Sequence, residues 1–319
     1  MIPYEWLKAA EERIRPHIRK TPLGYDSAKD LYLKWENQQV TGSFKVRGAL
    51  NKVLVLEDWE RQRGLVAASA GNHGQGVALA GSLFSAPVTI FVSESAVPAK
   101  IEAMRQLGAE VRLVSGGYTE AEETALAYAA DSQATWISPY NDGQVIAGQG
   151  TLGLETLEQL PPLDETTWIV PTSGGGLIAG IAAGIKTKPH SPQISAPKRT
   201  LIGVQSKASA FMHAIYHHGS QNGIRELPSI ADGLAGAVES GSITIPMVKA
   251  MVDDLILVDE AEIRAAIRYA WHEYEERIEG SAAVALAAVL SGKITNRPAV
   301  LILTGGNIQP ETHDQITAA

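Results

Sequence analysis

The chain has no cysteine among its 319 residues. That removes disulfides, thiolate metal ligands and thiol catalysis in one step, and it leaves the compartment open. It has no basic run long enough to follow a phosphate backbone. Its 27 Lys and Arg against 35 Asp and Glu give a net charge of -8, so nucleic acid is not an expected partner. It has no apolar run of membrane-spanning length, and Met1-Ile2-Pro3-Tyr4-Glu5-Trp6 lacks the basic and apolar regions of a signal peptide. These absences lead us to expect a soluble cytoplasmic protein with no membrane partner. Short sequence repeats and low-complexity tracts are also missing.

The size and composition that are present allow a full enzyme. With 45% hydrophobic residues the chain can bury one large core or two modest ones. Short β-branched segments alternate with amphipathic ones, and the expected strands are Leu31–Trp35, Leu65–Ser69, Val88–Val92, Val111–Val114, Trp136–Ser138, Trp168–Pro171, Leu201–Val204, Leu255–Val258 and Ala299–Leu303. Alternation of this kind implies an α/β fold with mainly parallel sheets and flanking helices. The number of strands points to two lobes with a site between them. Lys186–Arg199, with Pro189, Pro192 and Pro197, reads as a surface connection, and Gly219–Ile245 has too little periodicity for its elements to be assigned.

The most informative stretch is Thr41-Gly42-Ser43-Phe44-Lys45-Val46-Arg47-Gly48. It sets one lysine, flanked by an aromatic and small residues, where an apolar strand gives way to a helix. Partial burial or a bound cofactor lowers a lysine pKa and frees the amine to form a Schiff base. The plainer alternative is a helix start capped by Ser43 with Lys45 in solvent.

Ligands of open parallel sheets sit beyond the carboxyl ends of the strands, and three small polar loops stand at such places. Ser69-Ala70-Gly71-Asn72-His73-Gly74-Gln75-Gly76 opens a helix near His73 and could hold a carboxylate on its backbone N–H groups, or could be only a capped helix start. Thr172-Ser173-Gly174-Gly175-Gly176-Leu177 lets the backbone close round a phosphate ahead of a helix running to about Lys186; it has no lysine and no P-loop spacing. Thr304-Gly305-Gly306-Asn307 offers a hydroxyl that can meet a ring nitrogen without a charge, or is an ordinary turn. Gly148-Gln149-Gly150-Thr151-Leu152-Gly153 matches a dinucleotide fingerprint in spacing but sits in a helical segment with no strand before it. Gly174 to Gly180 follows a strand, which keeps a nicotinamide-dependent dehydrogenase as a rival, although no acidic residue closes a second strand where that fold needs one.

Together and in this order, these motifs closely resemble the serine/threonine dehydratase branch of fold-type II pyridoxal-phosphate enzymes, which is related to serine racemase. The resemblance runs from Thr21-Pro22-Leu23 to Asn307, joined by Ala147-Gly148-Gln149-Gly150-Thr151 and Ala231-Asp232-Gly233. It implies a two-lobed fold like the tryptophan synthase β chain, with residues 1–66 and 145–319 as the larger, cofactor-binding lobe and 67–144 as the smaller. By the same resemblance, Lys45 binds pyridoxal 5'-phosphate covalently as an imine and later takes the Cα proton. Phe44 packs against the pyridine ring, and Asn72 hydrogen-bonds the ring hydroxyl. Ser173, Gly174, Gly175 and Gly176 hold the phosphate, with Ser173 where relatives often have a fourth glycine. Thr304 faces the pyridine nitrogen where the branch usually has serine. Ser69, Ala70, Gly71, Asn72 and His73 hold the substrate carboxylate.

A hydroxyl opposite the ring nitrogen does not keep the ring protonated, which favours prompt loss of a β-substituent over racemisation or transamination. The implied reaction is α,β-elimination from a small β-hydroxy amino acid, with L-threonine or L-serine first, giving a 2-oxo acid and ammonia. Rivals are a hydroxyaspartate dehydratase, a diamino acid lyase, a racemase, or a non-catalytic protein that kept the fold. Two departures sharpen the reading. Ala70 stands where serine racemase has a serine able to protonate the opposite face of Cα, so racemisation is expected to be poor. Gln205 and Phe211 stand where cation-binding relatives have acidic residues, so no metal site is expected. Little chain follows Asn307, and a carboxy-terminal regulatory domain is not expected; a homodimer is.

Glu279, in Glu279-Gly280-Ser281-Ala282, matches a segment near the cofactor in relatives and equally suits a helix N-terminal acid. His213, His217 and His218 read as a polar helix face with no acidic partner nearby, and Tyr269, Trp271 and Tyr274 as core and surface of one amphipathic helix.

Overall fold

Runs of β-branched and aromatic residues too short for helices gather into two sheets in the computed structural model, which describes residues 1–188 and 197–318. The strands are β1 (Leu23–Asp26), β2 (Leu31–Trp35), β3 (Leu65–Ala68), β4 (Val88–Ser93), β5 (Glu110–Val114), β6 (Thr135–Trp136), β7 (Glu165–Pro171), β8 (Lys198–Ser206), β9 (Asp254–Val258) and β10 (Ala299–Leu303). One sheet runs β1-β2-β10-β7-β8-β9 and the other β5-β4-β3-β6. All pairings are parallel except β1 with β2. Of the surface connection expected at Lys186–Arg199, residues 189–196 lie outside the described residues.

The central strands are apolar on both faces because helices cover both. In the six-stranded sheet Trp168 and Val170 of β7 pack with Ile146 and Ile181 on one side, and Ile169 packs with Val284 and Ile267 on the other. In the four-stranded sheet Leu65 and Ala67 face Val46, Ala49, Leu50 and Val53 of the helix Lys45–Val55, while Val66 and Ala68 face the alanines of the helix Tyr118–Ser132.

The lysine helix is shared. One stripe enters the core of the four-stranded sheet, and the opposite side meets the helix Gly143–Gln159, where a Cβ on Gly48 would lie 2.9 Å from Val145. A boundary after residue 66 would cut β3, so we propose that the smaller lobe begins before Leu65, with this helix buttressing both.

The fingerprint-like glycines lie inside the helix Gly143–Gln159 and serve packing. A Cβ on Gly148 would come within 2.4 Å of the Arg47 carbonyl, and one on Gly150 within 2.6 Å of the Gly180 carbonyl. Backbones approach too closely there for any side chain. A buried charge network fixes the same junction. Arg47 donates to both carboxylate oxygens of Glu36 at 2.8 Å and lies 3.0 Å from Glu155, and Lys34 donates to Glu155 at 2.6 Å and to the Thr21 carbonyl at 2.7 Å.

The three histidines share the helix Phe211–His218, but Asp254 does approach His217, at 3.5 Å, so the expected lack of an acidic neighbour is corrected. Among the described residues no group of three or more potential ligands could hold a metal ion, and no helix is long and apolar enough to cross a membrane.

Candidate active site

The loops after β2, β10 and β7 lie together because parallel neighbours in one sheet deliver their carboxyl ends to one side, and the loop after β3 of the other sheet joins them. Lys45 begins its helix without any side-chain cap. Ser43 is fully buried, its hydroxyl has no partner, and it bridges to Gly305, so the capped and solvated alternative does not hold. Lys45 Nζ donates to the Pro139 carbonyl at 3.0 Å and lies 5.4 Å from the centre of the Phe44 ring. Burial lowers its pKa to about 8, against the opposing pull of the Glu279 charge.

The helix Asn72–Leu83 packs directly on this lysine: a Cβ on Gly76 would meet the backbone of Lys45 and Val46 at 3.2 to 3.3 Å. That contact brings the Ser69–His73 loop to the lysine. Ser69 Oγ accepts the Gly71 N–H at 3.2 Å, and a Cβ on Gly71 would meet nothing within 4 Å, so the loop borders open space. His73 differs from its neighbours in the loop. It is buried, its Nε2 sits 2.8 Å from the Ile137 carbonyl, and burial together with nearby Lys45 pushes its pKa down to about 3. A carbonyl only accepts, so Nε2 carries the proton and the ring is neutral.

The glycine loop is hemmed in closely. A Cβ on Gly174 would lie 2.7 Å from the Tyr140 ring and one on Gly176 2.8 Å from Gln149 Oε1, while Gly175 has φ +87 and faces Met212 and Thr244. Thr244 donates to the Gly174 carbonyl at 2.6 Å. The helix Gly176–Lys186 that follows has no side-chain cap, so its first N–H groups are available to an anion. Ser173 is half-buried at the start of this loop. Pro139 ties the glycine loop to the lysine, since its carbonyl accepts from both Lys45 and Gln149 and Tyr140 follows it.

Thr304 is buried, and its carbonyl accepts the Phe44 N–H at 3.0 Å. Next to it, Asn307 donates to the Thr41 carbonyl at 2.9 Å and to Asn72 Oδ1 at 2.7 Å. Each sequence motif is thereby linked to the lysine through one or two contacts. Sequence reasoning passed over the Pro139 carbonyl, Tyr140, Gln149 and the Asn307 side chain. A backbone acceptor has no residue-type signature, and the others lay inside motifs read for their glycines.

An anion cradle that side chains would fill, an uncapped helix start and a lysine with a lowered pKa fit a phosphorylated aldehyde. Comparison with known proteins agrees. The family model described as pyridoxal-phosphate dependent enzyme matches residues 14–305. This chain belongs to that family. As a family member the enzyme uses pyridoxal phosphate. It is 40% identical to an L-threonine ammonia-lyase of Thermotoga maritima, over 99% of this chain and 78% of the relative, and 39% identical to a catabolic L-threonine dehydratase of Escherichia coli, over 97% and 94%. Its fold matches the structure of maize serine racemase with a TM-score of 0.87 at 32% identity, covering 98% of this chain and 96% of that one. It matches a processed threonine deaminase isoform of Solanum lycopersicum with a TM-score of 0.87 at 31% identity, covering 99% and 92%.

Proposed function

We propose that the enzyme is an L-threonine ammonia-lyase that also accepts L-serine. The observation that carries this reading is the meeting of a half-buried lysine amine with the glycine cradle and the open Ser69–Asn72 loop, in a chain about 40% identical to threonine ammonia-lyases. Phe44, Asn72, Ser173 to Gly176 and Thr304 would hold the cofactor beside Lys45, with the glycine loop at the phosphate and Thr304 at the ring nitrogen. When bound, pyridoxal phosphate supplies the electron sink that acidifies the substrate Cα–H.

The chain's own residues do the rest. The Ser69–His73 loop binds the substrate carboxylate through backbone N–H groups and the Ser69 hydroxyl, since the His73 ring is turned to Ile137 and the Asn72 side chain faces the cofactor. Lys45, freed as the neutral amine, takes the Cα proton, and the β-hydroxyl leaves with a proton as water. One water then adds and ammonia departs, so threonine yields 2-oxobutanoate plus ammonia with no net water. Ala70 carries no proton to return to the opposite face of Cα, which supports elimination over racemisation.

Gln205 supports operation without a divalent cation: its Oε1 accepts the His213 N–H at 2.7 Å and its Nε2 donates to the Ser209 carbonyl at 3.1 Å. The reading extends to a homodimer acting in the cytoplasm, to be tested by sedimentation and cell fractionation. The direct test is release of 2-oxo acid from threonine, serine and 3-hydroxyaspartate, with and without a chelator. Turnover of threonine that a chelator leaves unchanged is expected. Racemisation outpacing 2-oxo acid release would contradict the proposal.

A further inference from the structure

Glu279 has no part in the roles above. It occupies the N-cap position of the helix Gly280–Leu290, yet its side chain accepts no N–H of that helix, so the helix-acid reading does not account for it. The side chain is buried, and Oε1 accepts Asn72 Nδ2 at 2.7 Å. A carboxyl group taken out of water needs such a partner.

The surrounding partners fix which end of each amide points where. The Thr41 carbonyl can only accept, so Asn307 turns its nitrogen to it, and the same nitrogen reaches Asn72 Oδ1. Asn72 is then obliged to turn its own nitrogen to Glu279. Reversing Asn72 would set oxygen against carboxyl oxygen on one side and nitrogen against nitrogen on the other. With Oδ1 and one N–H engaged, the free polar group of Asn72 is its second N–H.

We propose that Glu279 is a positioning residue that locks Asn72 as a hydrogen-bond donor to the ring oxygen of the cofactor; this rests on the cofactor role given to Asn72 above. The surroundings agree. Glu279 N–H donates to the Gly305 carbonyl at 3.0 Å, and a Cβ on Gly305 would lie 2.7 Å from Glu279 Oε1. The first glycine of Thr304-Gly305-Gly306-Asn307 therefore makes room for this carboxyl. Burial, then repulsion from Asp232, pushes Glu279 up to about 7, with Lys100 and the Asn72 bond opposing. Both protonation states keep an acceptor oxygen, so the role depends on reach rather than on charge.

The test separates reach from charge. Glu279→Gln keeps the reach and removes the charge; Glu279→Asp keeps the charge and falls short by one methylene. Binding of pyridoxal phosphate to each apo-protein is followed by its visible absorbance and induced circular dichroism, and apo-protein melting reports folding. Wild type is measured first: failure of wild type to bind overturns the function proposed above, independently of Glu279. Given binding, Glu279→Asp and Glu279→Ala are expected to weaken it by about tenfold, and Glu279→Gln by no more than about threefold. Glu279→Ala combined with Asn72→Ala is expected to bind no more weakly than Asn72→Ala alone. Wild-type affinity in Glu279→Asp, equal losses in Gln and Asp, or additive losses in the double variant would overturn the proposal. If the alanine variant does not fold, the Gln and Asp pair still decides it.

Discussion

At the scale of single residues, the chemistry turns on one amine. Burial holds Lys45 at about 8, so the amine is protonated and unreactive below that pH and free above it. Capture of pyridoxal phosphate by the apo-protein, followed by stopped-flow absorbance, is expected to speed up with pH and level off above about 8. A midpoint near the solvated lysine value of about 10.4 would contradict the burial argument. A second residue-scale prediction concerns Gly71, whose added Cβ would meet nothing within 4 Å. Gly71→Ala should raise the KM for threonine, because its methyl enters the space assigned to the carboxylate. Unchanged kinetics would remove that assignment. Lys45 and Asn72 were legible in the sequence because their motifs present them at strand ends. Glu279 was only half legible, because a lone acid before a helix looks like an ordinary cap until its partner, far away in sequence, is known.

At the scale of elements, close packing of three helices holds the lysine in place. Gly150→Ala would push a methyl against the Gly180 carbonyl, and overpacking costs about 1–3 kcal/mol, more than the roughly 0.8–1.0 kcal/mol gained in helix propensity. The apo-protein Tm is expected to fall. An unchanged Tm would mean that the helices part easily. The buried charges give a further test. Burial alone would raise Glu155, but Arg47 and Lys34 reverse this and hold it below the ordinary carboxylate range. Its contribution to stability is therefore present at neutral pH and lost as acid protonates it. Glu155→Leu should cost about 3–5 kcal/mol in denaturant unfolding, since Lys34 loses its carboxylate. A loss under about 1 kcal/mol would count against that account.

The elements were most readable where burial on both faces imposed a continuous apolar run, as in β3, β4, β7 and β10; β2 to β10 all overlap the expected segments, although β6 shares only Trp136 with the expected Trp136–Ser138. β1 was not readable: Leu23-Gly24-Tyr25-Asp26 is a half-exposed edge strand carrying a glycine, and its pairing with β2 supplies what its own pattern lacks. Gly219–Ile245 proved largely irregular, with one short turn of helix at Asp232–Leu234 and the start of the helix Thr244–Met251, so there was little periodicity to find. The fingerprint-like glycines were rightly set apart from nucleotide binding, but only the crossing of helices at Gly148 and Gly150 gives them a purpose.

At the scale of the whole molecule, two mainly parallel sheets share the helix that begins at Lys45, and the loops of both reach that residue. The order of motifs along the chain conveyed the family, because the three glycine-bearing loops at Ser69, Thr172 and Thr304 follow strand ends and strand ends of this architecture meet. The contacts that join one motif to the next run through backbone carbonyls and long-range amide pairs, which no local pattern encodes. The central claim is that Lys45 carries the cofactor, and the most direct measurement is borohydride reduction of the purified, cofactor-loaded protein, with the visible spectrum recorded before and after and the modified residue located by peptide mass. The account predicts a yellow protein that bleaches on reduction and a pyridoxyl group on Lys45 alone. A colourless protein that stays unlabelled after incubation with pyridoxal phosphate, or a label on another lysine, would contradict it.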